Sequence, residues 1–299
     1  MHTAARLHYL DGLSQVEVSR KMQISTASVS RLLARAREEA IVRIQVADFD
    51  ESDAIGERLA EALSLNAVRV VDTAETGRVA ALSAQVSHLV KGAGLTAGKV
   101  VAIGWGRTVQ NVIAAGLPPV PGVVVVPTMG GMDETASHFQ INEFVRVAAE
   151  EMHGQPFFLH APSQPSPELH AVLLRDRATS RILDLWPKID VAILGVGDFQ
   201  NARNRRDLGF SREESERVVG DLVRHYFDAD GQEVEWPGHR DLMAVSAGQL
   251  RRTPLSIAVA TGREKVRAII GAARSRMVNA LVTDARTARL LLESLDSPG

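Results

Sequence analysis

Apolar residues recur at helical spacing in three short stretches of the first forty positions. The spacing predicts helices over residues 3–10, 14–22 and 25–39, and the third helix carries a regular apolar stripe. Gln23 and Ile24 form the short connection between the second and third helices. Residues that can cap these two helices stand at their starts: Ser14, and Ser25 or Thr26. Two short helices joined in this way are typical of the helix-turn-helix motif.

The third helix begins with small polar side chains, which allow a helix to approach base edges in the major groove. Two arginines follow on the same helix and can reach phosphates or guanine, and a glutamine that opens the second helix can contact a phosphate. The residues that we predict to contact double-stranded DNA are Gln15, Ser25, Thr26, Ala27, Ser28, Ser30, Arg31 and Arg35. The alternating residues 42–46 predict a strand that would serve as a wing. The alternative is a structural three-helix unit in which the serines only cap helices.

Beyond an acidic segment at residues 48–53, short apolar stretches that fit buried strands alternate with stretches of helical spacing. Such alternation predicts a mostly parallel sheet covered by helices on both faces. We therefore predict an α/β protein with a winged helix-turn-helix DNA-binding domain at residues 1–50 and a larger Rossmann-like effector-binding domain at residues 51–299. The predicted strands cover residues 67–72, 100–104, 122–126, 189–195, 255–261 and 277–283, and the predicted helices cover residues 55–63, 77–91, 108–115, 138–153, 263–273 and 284–295, with a hairpin near residues 230–231.

Charge is distributed unevenly along the chain. Residues 1–46 carry a net charge of +3 and the remaining residues −5, which fits a DNA-binding unit joined to a body that does not contact DNA. No apolar stretch approaches the roughly 20 residues needed to cross a bilayer, and the first residues lack the apolar core of a secretory signal. We therefore expect a cytoplasmic protein. Because the chain has no cysteine and its nine histidines lack paired spacing, we expect no metal site and no cofactor.

The strand-to-loop junctions are the candidate effector sites, because ligands of open α/β sheets bind beyond the carboxyl ends of the strands. At the first junction, residues 104–108, two glycines allow a tight turn and the amides of Arg107 and Thr108 open a helix. The positive end of that helix favours an anion such as a phosphate. The alternative is ordinary helix–strand packing at a glycine turn, and the segment matches no nucleotide-binding motif.

Two of the later junctions carry charged side chains. The carboxylate of Asp198 can hold a sugar hydroxyl or merely cap the next turn. Lys265 stands at a helix start, where the helix dipole disfavours cations, so it indicates either an anionic ligand or a solvated charge. The four junctions together give the predicted effector-binding residues Gly104, Trp105, Gly106, Arg107, Thr108, Thr128, Gly130, Gly131, Asp190, Gly197, Asp198, Gly262, Arg263 and Lys265.

Nearly the whole chain resembles the SorC family of sugar-responsive bacterial regulators. The resemblance is carried by "GLSQVEV", "VSRLL" and "IVRI" near the start, and later by "GWGRT", "LHAPS", "DVAILGVG", "YFDADG" and "LVTD". Ala40 departs from the family, which usually has glycine there. The resemblance implies an effector domain with the fold of phosphosugar isomerases and glucosamine-phosphate deaminases. It also implies that Gln140 and Asp221 face the effector, and that the chain forms dimers or tetramers that read paired half-sites.

The function that these features predict is regulation of carbohydrate metabolism, with operator affinity controlled by a bound sugar, sugar phosphate or polyol. The alternative is a sugar-phosphate isomerase or deaminase fused to a DNA-binding unit. Such an enzyme needs a positioned general base, often a histidine or carboxylate, and a deaminase with Schiff-base chemistry needs a free lysine. The four junctions contain no histidine, and Lys265 is assigned to the phosphate. We therefore predict a sensor without catalytic residues.

Overall fold

The computed structural model describes residues 1–10, 13–38, 41–42, 51–132, 140–199 and 208–296. The chain forms two compact units, Met1–Asp50 and Glu51–Gly299. The turn at Ala40 and nearly all of the predicted wing strand at residues 42–46 lie outside the described residues. Of the predicted acidic connector at residues 48–53, residues 48–50 lie outside them, whereas residues 51–53 belong to the helix Glu51–Leu63, which begins earlier than predicted.

The first unit consists of consecutive helical segments. Helix α1 (His2–Ala5) continues into a wider π-helical turn over Arg6–Leu10, and α2 (Gln15–Met22) and α3 (Thr26–Glu38) follow. The helices bury a small core of alanine, valine and leucine side chains: Ala4, Ala5, Val18, Val29, Leu33 and Ala36. The three helices predicted from apolar spacing are therefore confirmed, and their ends agree with the prediction to within one or two residues.

Polar contacts set the start of α2 and of α3. The Ser14 hydroxyl accepts a hydrogen bond from the Glu17 amide (3.3 Å), and the Glu17 carboxylate accepts one from the Ser14 amide (2.8 Å). This reciprocal pair is a capping box. Helix α2 ends at Gln23, whose backbone is left-handed (φ 53°). The Ser25 hydroxyl then accepts a hydrogen bond from the Ser28 amide (3.1 Å), so both predicted serine caps are confirmed.

The second unit is an α/β structure with two sheets. Its described strands are β1 (Ala67–Val71), β2 (Val100–Ile103), β3 (Val124–Pro127), β4 (Gln155–Pro156), β5 (Ile189–Gly195), β6 (Gly197–Asp198), β7 (Gly220–Leu222), β8 (His225–Phe227), β9 (Leu255–Val259) and β10 (Ala280–Asp284). Seven of them form one sheet in the order β1-β10-β9-β5-β2-β3-β4, and each neighbouring pair is parallel. The predicted parallel sheet is confirmed.

Helices cover both faces of the seven-stranded sheet. The described helices of this unit are α4 (Glu51–Leu63), α5 (Glu75–Gly92), α6 (Arg107–Ala114), α7 (Ile141–Met152), α8 (Pro167–Leu173), α9 (Arg177–Leu183), α10 (Arg212–Arg217), α11 (Ala247–Arg252), α12 (Val266–Arg274) and α13 (Ala285–Asp296). Successive residues of β2 contribute to two separate apolar cores. Val100 and Ala102 pack with residues of α4, α12 and α13, whereas Val101 and Ile103 pack with residues of α5, α6 and α7. Because successive side chains of a strand point to opposite faces of the sheet, β2 contributes to the apolar cores on both faces.

Strands β2 and β5 lie side by side at the centre of the sheet, and the chain leaves them in opposite directions. After β2 it builds β3 and β4 toward one edge, and after β5 it builds β9 and β10 toward the other. The register pairs Ile103 with Ile193, so the two strands end at nearly the same level. Their carboxyl ends therefore form a topological switch point, where open α/β sheets leave a crevice.

Strands β6, β7 and β8 form a small antiparallel sheet that the sequence analysis did not predict. A two-residue turn joins β7 to β8, and both of its residues, Val223 and Arg224, have left-handed backbones (φ 53° and 64°). This conformation fits a type I′ turn, which is rarely built from a β-branched residue. The Arg224 amide donates a hydrogen bond to the Asp221 carboxylate (3.1 Å), and the Arg224 guanidinium lies over the Trp236 ring at 4.8 Å. These contacts hold the strained turn.

The long predicted elements of the second unit are confirmed, with shifts of a few residues at their ends. The predicted hairpin is also confirmed, because Phe227 pairs with Glu233 in an antiparallel bridge around Gly231. The helix predicted at residues 263–273 begins as a 3-10 turn over Arg263–Lys265 before α12. Helices α8–α11 and strand β4 were not predicted. They have two to seven residues each, too few to establish an apolar period.

Candidate functional site

A cavity of about 450 Å³ opens at the carboxyl ends of β2, β5 and β9. It lies at the switch point between β2 and β5, where ligands of open α/β sheets bind. Its walls are the loops that follow these three strands, the start of α6 and the β7–β8 turn. The described residues that line it are Gly104, Trp105, Gly106, Arg107, Thr108, Asn111, Gly195, Val196, Gly197, Asp221, Val223, Thr261, Glu264 and Lys265.

The amino end of α6 forms one wall of the cavity. Gly106 is the N-cap residue and has no side chain that could cap the helix. The first amides of a helix lack intrahelical partners and carry the positive end of the helix dipole. The exposed Arg107 and the half-buried Thr108 add a guanidinium and a hydroxyl at the same position. This wall is therefore suited to an anion.

Different physical reasons account for the two glycines of this turn, Gly104 and Gly106. A Cβ on Gly104 would lie 3.1 Å from the Ile193 carbonyl, so Gly104 allows close packing of β2 against β5. Gly106 has a φ of 114°, which favours glycine, and a Cβ there would meet nothing within 4 Å. Close packing of two strands thus explains the first glycine, whereas backbone conformation explains the second and leaves open space above it.

Lys265 lies across the cavity from α6. Its Nζ donates a hydrogen bond to the Val196 carbonyl (2.8 Å), which brings the loop after β9 to the loop after β5. Burial lowers the pKa of the Lys265 ammonium, while the carboxylates of Asp221, Glu264 and Asp198 oppose that shift. Several acidic groups act on the Lys265 ammonium, but among the described residues it has no ion-pair partner within 4 Å. It is therefore well placed to bind an added anion.

Asp221 provides a carboxylate on the wall formed by the small sheet. Burial raises the pKa of this carboxyl, and the amide of Arg224 and the charges of Arg224 and Lys265 partly counter the rise. The residue remains partly accessible through the cavity. A carboxylate held in this way can accept hydrogen bonds from hydroxyl groups of a ligand. The cavity therefore combines an anion-binding wall with an acceptor for hydroxyls.

The structure brings together eight of the predicted effector-binding residues as lining of this cavity: Gly104, Trp105, Gly106, Arg107, Thr108, Gly197, Asp221 and Lys265. Three more predicted residues are neighbours of the lining. Asp198 acts on Lys265 through its charge, and Gly262 and Arg263 belong to the same loop as Lys265. Gly262 shapes that loop through its φ of 118° and donates its amide to the Thr287 hydroxyl (2.8 Å).

The structure corrects the prediction that Asp190 binds the effector. It lies at the amino end of β5, whereas the cavity lies at the carboxyl end of the same strand. Its carboxylate accepts hydrogen bonds from the Lys99 ammonium (2.9 Å) and the Val100 amide (2.8 Å). Asp190 therefore ties the start of β5 to the start of β2 and does not belong to this site.

Four other predicted residues do not line the cavity. Thr128 is buried after β3, and a Cβ on Gly130 would lie 2.5 Å from the Ala161 carbonyl, so this glycine serves backbone packing. Gly131 donates its amide to the same carbonyl of Ala161 (2.8 Å). Gln140 is the exposed N-cap residue of α7. The segment between Gly131 and Gln140 contains residues 133–139, which lie outside the described residues.

The structure adds six lining residues that were not predicted: Asn111, Gly195, Val196, Val223, Thr261 and Glu264. Asn111 lies one helical turn after Arg107, so helical spacing could have identified it. Val196, Thr261 and Glu264 are direct neighbours of predicted residues, and Gly195 stands two positions before Gly197. Val223 gave no sequence signal, because a valine in a tight left-handed turn contradicts the usual turn preferences.

The predicted DNA-contacting residues lie at the start of α2 (Gln15), at the start of α3 and further along α3 (Arg31 and Arg35). Ser25, Thr26, Ala27, Ser30, Arg31 and Arg35 are exposed, and Gln15 and Ser28 are half-buried. Ser25 and Ser28 also contact each other through their hydroxyls (2.9 Å). The cap alternative thus accounts for Ser25 and Ser28, but it gives no reason for an exposed face with two arginines.

Comparison with known proteins gives a consistent result. The family model Sugar-bind, described as a sugar-binding domain, matches residues 47–293. The chain is 30% identical to the deoxyribonucleoside regulator of Bacillus subtilis (strain 168), over 98% of this chain and 96% of that protein. It is 27% identical to the sorbitol operon regulator of Klebsiella pneumoniae, over 97% of this chain and 96% of that protein.

The fold is also similar to solved structures. The crystal structure of the full-length sorbitol operon regulator SorC from Klebsiella pneumoniae aligns with a TM-score of 0.79 and 27% identity, over 97% of both chains. Within the described residues of the present chain, no helix is both long and apolar enough to span a membrane.

Proposed function

Because the chain belongs to the SorC family of transcriptional regulators with a sugar-binding domain, we propose that residues 1–50 bind operator DNA and that residues 51–299 bind the effector. The effector we propose is a phosphorylated sugar or polyol, and its binding controls operator affinity. One observation carries this assignment. The amino end of α6 with Arg107 and the half-buried Lys265 face a single cavity at the switch point of the sheet.

The proposed pose follows from the charges of the cavity walls. The phosphate binds between the first amides of α6, Arg107 and Lys265, where both the helix dipole and two cations favour it. The hydroxyl groups of the sugar then reach Asp221 and Asn111, which offer a carboxylate and an amide. A cavity of about 450 Å³ has the size of a site for a small metabolite.

We propose that α2 and α3 act as the helix-turn-helix and that α3 enters the major groove. The support is the three-residue connection at residues 23–25 and the exposed start of α3, with Arg31 and Arg35 further along the helix. Two copies of the chain would place two such helices on paired half-sites, so we propose a homodimer or homotetramer as the DNA-binding form.

Control of transcription then requires a coupling of about 1–3 kcal/mol between the two ligands, which changes operator affinity about 5–150-fold. The effector contacts loops from both halves of the sheet, because Arg107 follows β2 and Lys265 follows β9. We propose that closing these loops on the effector changes the contacts between subunits and thereby the spacing of the two DNA-binding units.

We propose that the cavity binds its effector without converting it. Among the described lining residues there is no histidine, and the Lys265 ammonium is already hydrogen-bonded to the Val196 carbonyl. The relatives named above are regulators, which also favours binding over catalysis. The contrary hypothesis is an isomerase or deaminase, and it predicts that the bound sugar phosphate is chemically changed.

A thermal-shift screen of the full-length chain tests the proposed effector class. The screen compares sugar phosphates with the matching unphosphorylated sugars and polyols. We expect selected phosphorylated compounds to raise Tm, because a ligand at 100 times its Kd stabilises the folded state by about 2.7 kcal/mol. The compound is then recovered after prolonged incubation. Unchanged compound supports a sensor, whereas conversion to product would contradict it.

DNA binding is tested separately with a duplex selected by the protein from a random library. We expect retention of the selected duplex, and a change in its Kd when the effector identified by thermal shift is added. A protein that retains no selected sequence over random DNA would contradict the assignment of residues 1–50.

A further inference from the structure

A second polar cluster lies outside the effector cavity, in the segment that follows the β7–β8 turn. His225 opens β8, Glu233 pairs with Phe227 across the next hairpin, and His239 closes a turn that begins at Trp236. One ligand atom from each of His225, Glu233 and His239 lies within 4.8 Å of the other two. The histidine rings are 5.6 Å apart between centroids and nearly perpendicular. Two imidazoles and a carboxylate are a donor set that Zn²⁺ prefers.

His225 gives an independent indication of a ligand. The side chain is only 5% exposed, and its Nε2 lies 2.8 Å from the Val245 carbonyl. Since a carbonyl oxygen can only accept, Nε2 carries the proton and Nδ1 carries a free lone pair. Nδ1 is buried and has no hydrogen-bond partner among the described residues. Metal-binding histidines usually donate their other ring N–H to a carbonyl or carboxylate in this way.

Glu233 is oriented by a neighbour as well. The Arg251 guanidinium donates a hydrogen bond to Glu233 Oε1 (2.6 Å), and it donates a second one to the Ser275 carbonyl (3.0 Å). The hydrogen bond from Arg251 fixes the position of the carboxylate and leaves its other oxygen for a ligand. The positive charge of Arg251 also opposes a nearby dication, so we expect micromolar rather than nanomolar affinity.

We propose that His225 Nδ1, Glu233 and His239 bind one Zn²⁺ ion, with water at the fourth position. Tetrahedral zinc with bonds of about 2.0–2.1 Å places its ligand atoms about 3.3 Å apart. The cluster therefore has to contract by a small side-chain movement. Glu233 and His239 are only half-buried and can make that movement, whereas His225 is fixed by Val245. This assignment differs from the expectation of no metal site, because the hairpins join residues whose sequence spacing matches no zinc motif.

The ion would connect two parts of the structure next to the effector cavity. His225 follows directly on the Val223–Arg224 turn, and Val223 lines that cavity. Glu233 and His239 belong to the segment that leads away from β8. Zinc would therefore fix this segment to the base of the turn and stabilise the folded second unit. The role we assign to it is structural, since nothing in the cluster places it against the effector.

The test uses the full-length chain, stripped with a chelator and then titrated with Zn²⁺ by calorimetry. We expect one ion per chain bound with micromolar affinity, a higher Tm with zinc, and visible ligand-field bands of tetrahedral geometry when Co²⁺ is used instead. His239→Gln and Glu233→Gln change half-buried residues and should leave the fold intact. Each should weaken zinc binding by more than about tenfold. His225→Gln should do the same if the variant folds.

His170→Gln is the matched control, because His170 is a half-buried histidine that faces Asp241 and lies outside the cluster. It should bind zinc like the wild type. Zinc affinity that is equal in wild type, His239→Gln and Glu233→Gln would overturn the proposal, as would zinc binding that His170→Gln weakens to the same degree. These readouts need neither DNA nor effector, so they remain decisive whatever the outcome for the proposed regulatory function.

Discussion

Gly197 and Asp221 face each other across the β6–β7 pair, and a Cβ on Gly197 would lie 1.9 Å from the Asp221 Oδ1 atom. The absence of a side chain at position 197 is therefore what admits the carboxylate to the wall of the cavity. The glycine suits this place because of its neighbour, since its own backbone is not left-handed.

Gly197→Ala should destabilise the protein by about 1–3 kcal/mol, because the added methyl group overlaps the Asp221 carboxylate. The same substitution in an Asp221→Ala background should cost much less, since the space is then free. Denaturant unfolding of the four proteins in a double-mutant cycle measures this coupling. Gly92→Ala is the control, because a Cβ there meets nothing within 4 Å. An equal loss in both backgrounds would show that the two residues do not compete for space.

Arg107→Glu should abolish the response to a phosphorylated effector and leave operator binding intact. The change reverses a charge at the amino end of α6, and a charge-assisted hydrogen bond contributes about 1.5–3 kcal/mol, or at least about tenfold in Kd. Thermal shift and calorimetry measure the loss. Arg267→Glu is the matched control, because Arg267 is an exposed arginine of α12 that does not line the cavity. If Arg107→Glu binds the effector like the wild type, the anion site is wrongly placed.

The lowered pKa of Lys265 predicts opposite effects of alkaline pH on effector binding and on stability. Its ammonium loses the proton below the range near 10.4 where exposed lysines titrate, so affinity for a phosphate should fall as pH rises into that window. In the same window the unfolded chain binds more protons than the folded one. The free energy of unfolding should therefore rise with pH, because the cost of burying the charge disappears.

Lys265→Gln tests the predicted pH dependence of both effector binding and stability. The variant should bind the phosphorylated effector more weakly than the wild type, with little pH dependence on the alkaline side. Its free energy of unfolding should lack the component that rises with pH. Calorimetric titrations and denaturant unfolding at several pH values measure the two differences from wild type. Identical pH profiles for the two proteins would remove Lys265 from the anion site.

Arg31→Ala should weaken binding to the selected operator by about 1–3 kcal/mol without changing effector affinity. Arg31 is exposed on α3 and follows the serines at the start of that helix. A contact to guanine would also relax the sequence preference at one position, whereas a contact to phosphate would reduce the salt dependence of binding. Arg212→Ala is the control, because the Arg212 side chain is 93% exposed in the second unit. Wild-type retention of DNA by Arg31→Ala would contradict the groove assignment.

The parts of the fold that the sequence predicted well are those with a strong apolar period. The helices of the first unit and the central strands of the sheet have regular apolar faces, and their caps and glycine turns lie next to them in the chain. The small sheet escaped prediction because its strands have only two or three residues. Its turn at Val223–Arg224 also lacks the glycine or asparagine that usually marks such turns.

The sequence predicts those residues of the candidate site whose location follows from their position along a strand. Residues 104–108 follow β2 directly, so they must lie at its carboxyl end. Asp190 and Gly197 stand in one continuous motif, yet β5 separates them by nearly its full length, so only Gly197 reaches the cavity. The positions of Asp221 and of the cluster around His225 depend on which segments the small sheet brings together. The local spacing of these residues in the sequence does not indicate that pairing.

The cavity has walls of two kinds, and this division bears on how related regulators acquire new effectors. In the proposed site the anion binds main-chain amides beyond the end of a central strand, where a substitution disturbs the packed interior. The opposite wall is a short hairpin of the separate small sheet, whose residues Asp221 and Val223 line the cavity. Selectivity for the carbohydrate portion can therefore diverge through that hairpin while recognition of the charged group stays the same.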